Sequence, residues 1–130
     1  MTLGPLMVDL EGTAISEKEK DLLLMPEVGG VILFTRNFES VAQITALTKS
    51  IHDLRTPRLL IAVDHEGGRV QRFHEGFSRI PAAATYARIA KDDIEQSRQL
   101  AEKSGWLMAV ELRACGIDFS FAPVLDLAHG

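Results

Sequence analysis

The chain has 130 residues and a mass of 14.3 kDa, and 46% of its residues are hydrophobic, which is enough for the core of one domain or part of one. The net charge is -4 with a pI near 5.5, and Lys and Arg are scattered, so a protein that binds a nucleic-acid backbone is not indicated. No apolar run approaches the roughly 18 residues of a membrane span, and the N-terminus lacks the features of a signal peptide, so we expect no membrane partner and a cytoplasmic location.

The first predicted unit is a strand followed by a helix. Residues 5–10 form a short apolar stretch with Asp9 near its end, which is typical of a buried strand with a polar carboxyl end. Ser16 with Glu19 three positions later forms the pattern of a capping box, and residues 22–25 supply the buried end of the helix.

The second unit repeats this order. Residues 28–34 form a continuously apolar strand, and the glycines at 29–30 would allow a neighbouring backbone to approach closely. The strand ends at a polar tip that includes Arg36. Ser40 and Gln43 form a second capping-box pattern, which opens a helix. One stripe of this helix should face the sheet, because its apolar residues recur at steps of three and four: Val41, Ile44, Leu47, Ile51 and Leu54.

The third strand leads into the densest group of charged residues, in the stretch LLIAVDHEGGRVQRF. Residues 59–63 are continuously apolar, which indicates a strand buried on both faces. Asp64 and Glu66 follow at its end, and Arg69 and Arg72 come after a Gly pair. An Asp that ends a strand is often a turn residue, and a nearby Arg often only pairs with it. The density of charge around a Gly pair favours a binding site here, because parallel α/β folds bind ligands at the carboxyl ends of strands.

A long connection over residues 74–84 follows, and a loop of this length is either mobile or functional. A long helix then begins at Asp92 and Asp93, with Glu95 placed to complete a cap, and stops at Gly116. Its apolar positions are Leu100, Ala101, Trp106, Leu107, Val110 and Ala114.

Three features of the last segment bear on function. Trp106 is interpreted as a packing residue rather than a platform for a ligand. Cys115 is the single cysteine, so it has no internal disulfide partner, and we interpret it as a small core residue rather than a nucleophile. Residues 119–125, FSFAPVL, form the fourth predicted strand, which closes with Asp126.

Alternation of strands and helices predicts a parallel sheet with right-handed crossovers. Polar strand ends at Asp9, Arg36, Asp64 and Asp126 would then gather at one rim, as on the catalytic face of a (β/α) barrel. A doubly wound open sheet would gather some of them. The first strand is not followed by G-x-G-x-x-G, and there is no P-loop lysine, so neither a dinucleotide nor a nucleoside triphosphate site is indicated.

Several segments together resemble one family. VGGVILFTRN, VDHEGGRVQRF, FSRIPAAATYA, GWLMAVEL and DFSFAPVLD, in this order, are similar to the bacterial β-N-acetylhexosaminidases of glycoside hydrolase family 3, cytoplasmic enzymes of cell-wall recycling. The resemblance implies an α/β fold that is the N-terminal part, about four β/α units, of a (β/α)8 TIM barrel with parallel strands. Residues 1–130 would then be the incomplete N-terminal part of a single glycoside hydrolase barrel domain.

The resemblance also implies an activity. The family removes terminal β-linked N-acetylglucosamine from 1,6-anhydro-muropeptides derived from peptidoglycan, by a retaining mechanism that needs a carboxylate nucleophile and a separate acid/base. Both family motifs fall beyond Gly130, so we expect no catalytic residue within this chain and no hydrolysis by the chain alone. The acid/base role is not assigned to His65, His74 or His129, because none of them falls in the matching segment. No metal ion or organic cofactor is implied.

What the resemblance carries over is binding of the amino-sugar substrate. Asp64 matches the family's Asp that accepts hydrogen bonds from sugar hydroxyls, and Arg72 matches the Arg that binds the same terminal sugar. A carboxylate accepts and a guanidinium donates in a fixed fork, which suits paired hydroxyls. Glu66 and Arg69 are expected to brace the loop through a mutual ion pair. His65 stands where a Gln is expected, which puts the neighbouring hydrogen bonds in question.

Two other functions remain open. A half-barrel with unpaired edge strands could be a non-catalytic module that self-associates or binds a partner. An unrelated barrel enzyme, such as an aldolase or a metal-dependent hydrolase, could use Asp9, Asp64 and Asp126 as ligands, although paired His at metal spacing is lacking. Asp9 and Asp126 are in any case candidates to line the rim.

Overall fold

The structure is a computed structural model, and it describes residues 2–126. In chain order the elements are β1 (Leu6–Asp9), α1 (Glu17–Leu23), β2 (Val28–Leu33), α2 (Val41–His52), β3 (Leu60–Val63), β4 (His65–Gly67), β5 (Val70–Gln71), α3 (Ala83–Ile89), α4 (Ile94–Ala114) and β6 (Phe119–Ser120). One sheet has four parallel strands in the order β1-β2-β3-β6, and β4 and β5 form a separate antiparallel pair. The predicted α/β fold with parallel strands is confirmed, and over these residues the sheet does not close into a barrel.

The two faces of the sheet have different surroundings. The strand register places Val31 beside Ile61 on the face that packs against the helices, where both side chains are fully buried. Met7, Leu60 and Phe119 lie on the other face, and each is more than a third exposed. The core therefore sits between the sheet and the helices, and its largest members are Leu10, Leu23, Leu33, Ile44, Ile51, Leu59, Ile61, Phe73 and Ile117.

The caps of the first two helices follow the sequence closely. Ser16 and Glu19 form the predicted capping box, with the Ser16 N–H donating to Glu19 Oε2 at 2.8 Å. The hydrogen bond from the Ser16 hydroxyl, helped by the backbone N–H of Glu11, lowers the pKa of the Glu19 carboxyl. At α2 the second box is half formed, because Ser40 accepts from the Gln43 N–H but the Gln43 side chain accepts from the Glu39 N–H.

The predicted buried end of α1 is wrong in most of its positions. Leu23 is fully buried, but Leu22, Leu24 and Met25 are each exposed by more than a third. The C-terminal end of α1 is held instead by Arg55. Its guanidinium donates to several carbonyls around this end, including that of Met25 at 3.0 Å. Basic side chains at a helix C-terminus satisfy carbonyls that have no partner within the helix.

The region after β3 differs from the prediction. A hairpin of β4 and β5 follows directly. Gly67 at the end of β4 and Gly68 in the turn have φ +94° and +59°, conformations that favour glycine. A side chain at Gly67 would lie 2.6 Å from the carbonyl oxygen of Pro81, so the next segment packs closely on this turn. The predicted long loop is also shortened by α3, which begins at Ala83.

The last helix and strand match the prediction in part. Asp93 caps α4 by accepting from the Gln96 N–H at 2.9 Å, whereas Glu95, predicted to complete this cap, pairs with Arg98. The helix ends before Gly116, which has φ +81° as expected for a glycine after a C-cap. The predicted strand 119–125 is too long, because β6 ends at Ser120.

The predicted packing role of Trp106 is not seen within residues 2–126, since its side chain is 66% exposed. Cys115 is buried as predicted, and burial raises the pKa of its thiol, which keeps the thiol protonated and unreactive. His129 lies outside the described residues. Among the helices of residues 2–126, none is long and apolar enough to cross a membrane.

Candidate functional site

Asp64 and Arg72 meet at the carboxyl end of the sheet. Asp64 directly follows β3, and the β4–β5 hairpin returns the chain so that Arg72 comes back to it. Arg72 Nη2 donates to Asp64 Oδ2 at 2.9 Å, and the two side chains remain 31% and 29% exposed. The structure therefore brings the two predicted site residues together while leaving both accessible to a ligand.

A second ion pair lies at the ends of the neighbouring strands. Asp9, the last residue of β1, pairs with Arg36, which follows β2, and Arg36 Nε also donates to the Leu10 carbonyl at 2.9 Å. The ring of Phe34 connects the two pairs, with its centroid 4.8 Å from the Arg36 guanidinium carbon and 5.6 Å from that of Arg72. Three strand ends thus meet at one rim.

The fourth predicted member of the rim does not join this group. Asp126 is exposed, six positions beyond the end of β6, and it forms no ion pair with any other residue in the range 2–126. The early end of β6 is the physical reason, because the chain leaves the sheet before it reaches Asp126.

The turn that carries Arg36 follows β2 directly. It is a single turn of 3-10 helix, Thr35–Asn37, and the fully buried Asn37 holds it in place. The Phe34 N–H donates to Asn37 Oδ1 at 2.8 Å, while Asn37 Nδ2 donates to the carbonyls of Leu10 and Gly12 at 3.0 and 2.8 Å. Sequence reasoning missed this role of Asn37, although its place directly after a polar strand end was a signal.

The segment after Arg72 is fixed by two side chains that the sequence did not single out. Gln71 is buried, and its Nε2 donates to the carbonyls of Phe73 and Ser78 at 3.1 and 2.9 Å while its Oε1 accepts from the Ile80 N–H. Glu111 of α4 accepts from both the N–H and the hydroxyl of Ser78. The predicted long loop is therefore anchored before its start at Phe73 and within it at Ser78 and Ile80.

The predicted ion pair between Glu66 and Arg69 is wrong, since no ion pair within residues 2–126 joins them. Arg69 is exposed in the hairpin turn, where pairing gains little over hydration. Both residues instead line an apolar groove of about 710 Å³ between the hairpin, α3, α4 and β6. Neither Asp64 nor Arg72 lines this groove, so it is separate from their site.

His65 is part of the core beneath the site. Its ring packs against Phe73 and Phe77 with centroids 5.9 and 5.7 Å away, and its side chain is buried. Burial lowers the pKa of His65 from 6.5 to about 4; the positive charge of His74 adds to this, and the negative charge of Glu111 opposes it. The backbone of His65 is held by Ser120, whose hydroxyl accepts from its N–H and donates to its carbonyl. His65 is therefore a neutral packing group.

The chemistry available at the rim is that of hydrogen bonding to a polar ligand. A carboxylate such as that of Asp64 accepts from hydroxyls, and the Arg72 guanidinium offers donors. Among residues 2–126, no group of three or more His, Cys, Asp or Glu side chains is placed to hold a metal ion.

Comparison with known proteins identifies related sequences along the whole chain. Residues 4–130 match the family model described as the glycosyl hydrolase family 3 N terminal domain. A β-hexosaminidase of Thioalkalivibrio sulfidiphilus is 66% identical over 130 residues, which are all of this chain and 38% of the relative. A β-hexosaminidase of Alkalilimnicola ehrlichii is 62% identical over 130 residues, which are 37% of its length. The chain thus spans little more than a third of these relatives.

Solved structures agree with the sequence relatives. NagZ from Neisseria gonorrhoeae, in a crystal structure with zinc ion, superposes with a TM-score of 0.95 at 52% identity, covering 96% of this chain and 38% of that one. The same protein in complex with N-trifluoroacetyl-D-glucosamine gives a TM-score of 0.94 over 37% of its chain. A glycoside hydrolase family 3 β-N-acetylglucosaminidase from Paenibacillus gives 0.81 at 33% identity.

Proposed function

The chain belongs to the glycosyl hydrolase family 3 N-terminal domain family, and from this premise we propose that it supplies part of the sugar site of a β-N-acetylglucosaminidase. In this proposal residues 1–130 are the N-terminal part of a single barrel domain, and the whole protein hydrolyses terminal β-linked N-acetylglucosamine. The substrates are peptidoglycan fragments, the 1,6-anhydro-muropeptides of cell-wall recycling in the cytoplasm. No metal ion or organic cofactor takes part.

The observation that carries the proposal is the pair of Asp64 and Arg72, joined at 2.9 Å and still accessible at the carboxyl end of β3. Ligand sites of barrel enzymes lie at this end of the strands. The related NagZ of Neisseria gonorrhoeae was crystallised with an N-acylated glucosamine, which supports an amino sugar as the ligand. In our proposal Asp64 accepts hydrogen bonds from the sugar hydroxyls and Arg72 donates to the same terminal sugar.

The catalytic step is proposed to be retaining and to use groups outside this chain. A retaining glycosidase needs a carboxylate that attacks the anomeric carbon and an acid/base that protonates the leaving oxygen and then activates water. We assign neither role to a residue of the chain. The 130-residue chain alone should therefore bind the amino sugar without hydrolysing the glycosidic bond. The full-length gene product should release the β-anomer of N-acetylglucosamine first, as measured by NMR of the fresh product.

Loss of Arg72 tests the proposed sugar contact. In the full-length gene product, Arg72→Met should raise the KM for a chromogenic N-acetyl-β-glucosaminide by about 10- to 150-fold, because a hydrogen bond from a charged donor is worth roughly 1.5–3 kcal/mol. Arg69→Met is the matched control, since Arg69 lies in the same hairpin but makes no ion pair with Asp64. An unchanged KM in Arg72→Met, or no hydrolysis by the wild-type protein, would contradict the proposed function.

A second candidate function rests on the uncovered face of the sheet. Leu60, Phe119 and Phe121 are each exposed by more than a third, and β1 and β6 are edge strands of the four-stranded sheet of residues 2–126. Exposed apolar area and unpaired edges favour association between chains. On this alternative the chain is a non-catalytic half-barrel that self-associates or binds a partner protein.

A further inference from the structure

The ring of Phe34 lies against two guanidinium groups, those of Arg36 and Arg72, which differ in how many other contacts hold them. The ring centroid is 4.8 Å from the guanidinium carbon of Arg36 and 5.6 Å from that of Arg72. Both distances fall within the roughly 6 Å over which a cation is attracted to the face of an aromatic ring. Arg36 is also held by the carboxylate of Asp9 and the carbonyl of Leu10. Its position therefore does not depend on the ring.

Arg72 has weaker support of its own. Within residues 2–126 its guanidinium makes one hydrogen bond, from Nη2 to Asp64 Oδ2, and its buried Nε has no hydrogen-bond partner. A single hydrogen bond fixes one atom of the guanidinium but leaves its plane free to turn, whereas a bidentate pair would fix both. Contact with the Phe34 ring supplies the missing constraint on that plane.

The backbone at Phe34 is held in place, which fixes the point from which its ring projects. Its N–H donates to the Oδ1 of the fully buried Asn37 at 2.8 Å. The next residue, Thr35, donates from its hydroxyl to the carbonyl of Arg72 at 3.2 Å. The turn after β2 thus contacts Arg72 twice, once at the backbone and once at the guanidinium.

We infer that Phe34 is a positioning residue for Arg72, holding the guanidinium plane so that its remaining donors face the terminal sugar. This inference rests on the proposed function and deepens it, because it names the group that orients a proposed sugar ligand. Phe34 itself makes no contact with the sugar in this scheme. Its effect should therefore appear in substrate binding and should depend on the presence of Arg72.

The test is a double-mutant cycle in the full-length gene product. Phe34→Leu keeps an apolar side chain but removes the ring face, and it should raise the KM for a chromogenic N-acetyl-β-glucosaminide by about 2- to 30-fold with little change in kcat. Phe34→Tyr keeps the ring face and should restore the wild-type KM. In an Arg72→Met background, Phe34→Leu should change the KM no further, because its effect passes through the guanidinium.

Phe38→Leu is the matched control for packing. Phe38 stacks on Phe73 at 4.8 Å in the core, so its substitution should lower the thermal unfolding temperature without raising the KM. The inference is overturned if Phe34→Leu raises the KM equally with and without Arg72, if it leaves the KM unchanged, or if Phe34→Tyr fails to restore it. Inactivity of the wild-type protein, or a normal KM in Arg72→Met, would instead refute the proposed function and the inference with it.

Discussion

His65 follows Asp64 in the chain and combines a titratable ring with a position in the core. Burial among Phe73 and Phe77 lowers its pKa from 6.5 to about 4, so the folded state keeps the ring neutral where the unfolded state takes up a proton. The unfolded state then binds more protons between these values, and stability must fall as the pH drops from 6.5 towards 4. Above pH 6.5 the ring is neutral in both states and contributes no pH dependence.

His65→Gln should therefore flatten the pH dependence of stability. In the wild-type protein, His65 should lower the free energy of unfolding by up to about 3 kcal/mol as the pH falls from 6.5 to below 4, since one pKa unit corresponds to about 1.4 kcal/mol. Urea unfolding of the full-length protein at several pH values measures the difference. Phe38→Leu is the control, because it disturbs the same aromatic cluster without removing a titratable group, so it should keep the pH dependence of the wild type. Parallel pH profiles for wild type and His65→Gln would contradict the assignment.

The positions of some residues at the rim could be predicted from the sequence, and those of others could not. The meeting of Asp64 and Arg72 at the end of β3 could be predicted because both lie in a dense, family-like motif at a strand end. The positions of Phe34 and Asn37 could not, because a ring under a guanidinium and an amide between two loops are set by contacts between segments far apart in sequence. The ion pair of Glu66 and Arg69 was predicted because both residues belong to this motif, but the two side chains are not paired across the hairpin.

At the scale of elements, the segment from Arg72 to Ala82 depends on α4. Glu111 accepts from both the N–H and the hydroxyl of Ser78 at 2.7–3.1 Å, which attaches the middle of this segment to the helix. Hydrogen bonds to a charged acceptor are worth roughly 1.5–3 kcal/mol. A segment held in this way should open far less often than its loop-like backbone suggests.

Glu111→Ala should release this segment. The amide of Ser78 loses its acceptor, so its hydrogen exchange in the full-length protein should become about tenfold faster or more. Glu102→Ala is the matched control, because Glu102 is an exposed glutamate on the same helix and makes no contact with Ser78. Equal exchange at Ser78 in the two variants would show that α4 does not anchor the segment.

Local signals account for the elements that were predicted correctly. The capping box of Ser16 and Glu19 and the apolar run of β2 are both encoded within a few neighbouring residues. The β4–β5 hairpin was missed because strands of three and two residues are too short for an alternating pattern. Helix α3 was missed because its N-cap is Ala82, which has no side-chain oxygen to mark a helix start.

The length of β6 was overestimated for a related reason. FSFAPVL is mostly apolar, but β6 ends at Ser120, and the hydrogen bonds to β3 extend only to the one from the Phe121 N–H to the Val63 carbonyl at 3.1 Å. An apolar run indicates that the segment is buried, but it does not indicate which neighbouring element covers the segment. In residues 2–126 the side chains of Phe121, Val124 and Leu125 are exposed, so their apolar character is not explained by contacts within this part of the molecule.

The whole molecule has more surface than a compact protein of its mass. Its accessible area is 8212 Å², whereas a monomer of this mass is expected to expose about 6,800 Å². The excess of about 1,400 Å² exceeds the roughly 800 Å² that one partner contributes to a standard protein interface. One face of the sheet contributes to this exposed apolar area, because Met7, Leu60 and Phe119 are each more than a third exposed there.

The isolated 130-residue chain should therefore self-associate through this face. The weight-average mass in sedimentation should rise with concentration, because burying exposed apolar area contributes about 25 cal/mol per Å². Leu60→Lys places a charge in the middle of the face and should shift the chain towards monomer. Ile94→Lys is the control, since Ile94 is 69% exposed at the start of α4, away from the sheet, and its substitution should leave association unchanged. A chain that stays monomeric at all concentrations, or equal association of both variants, would show that the open face does not drive assembly.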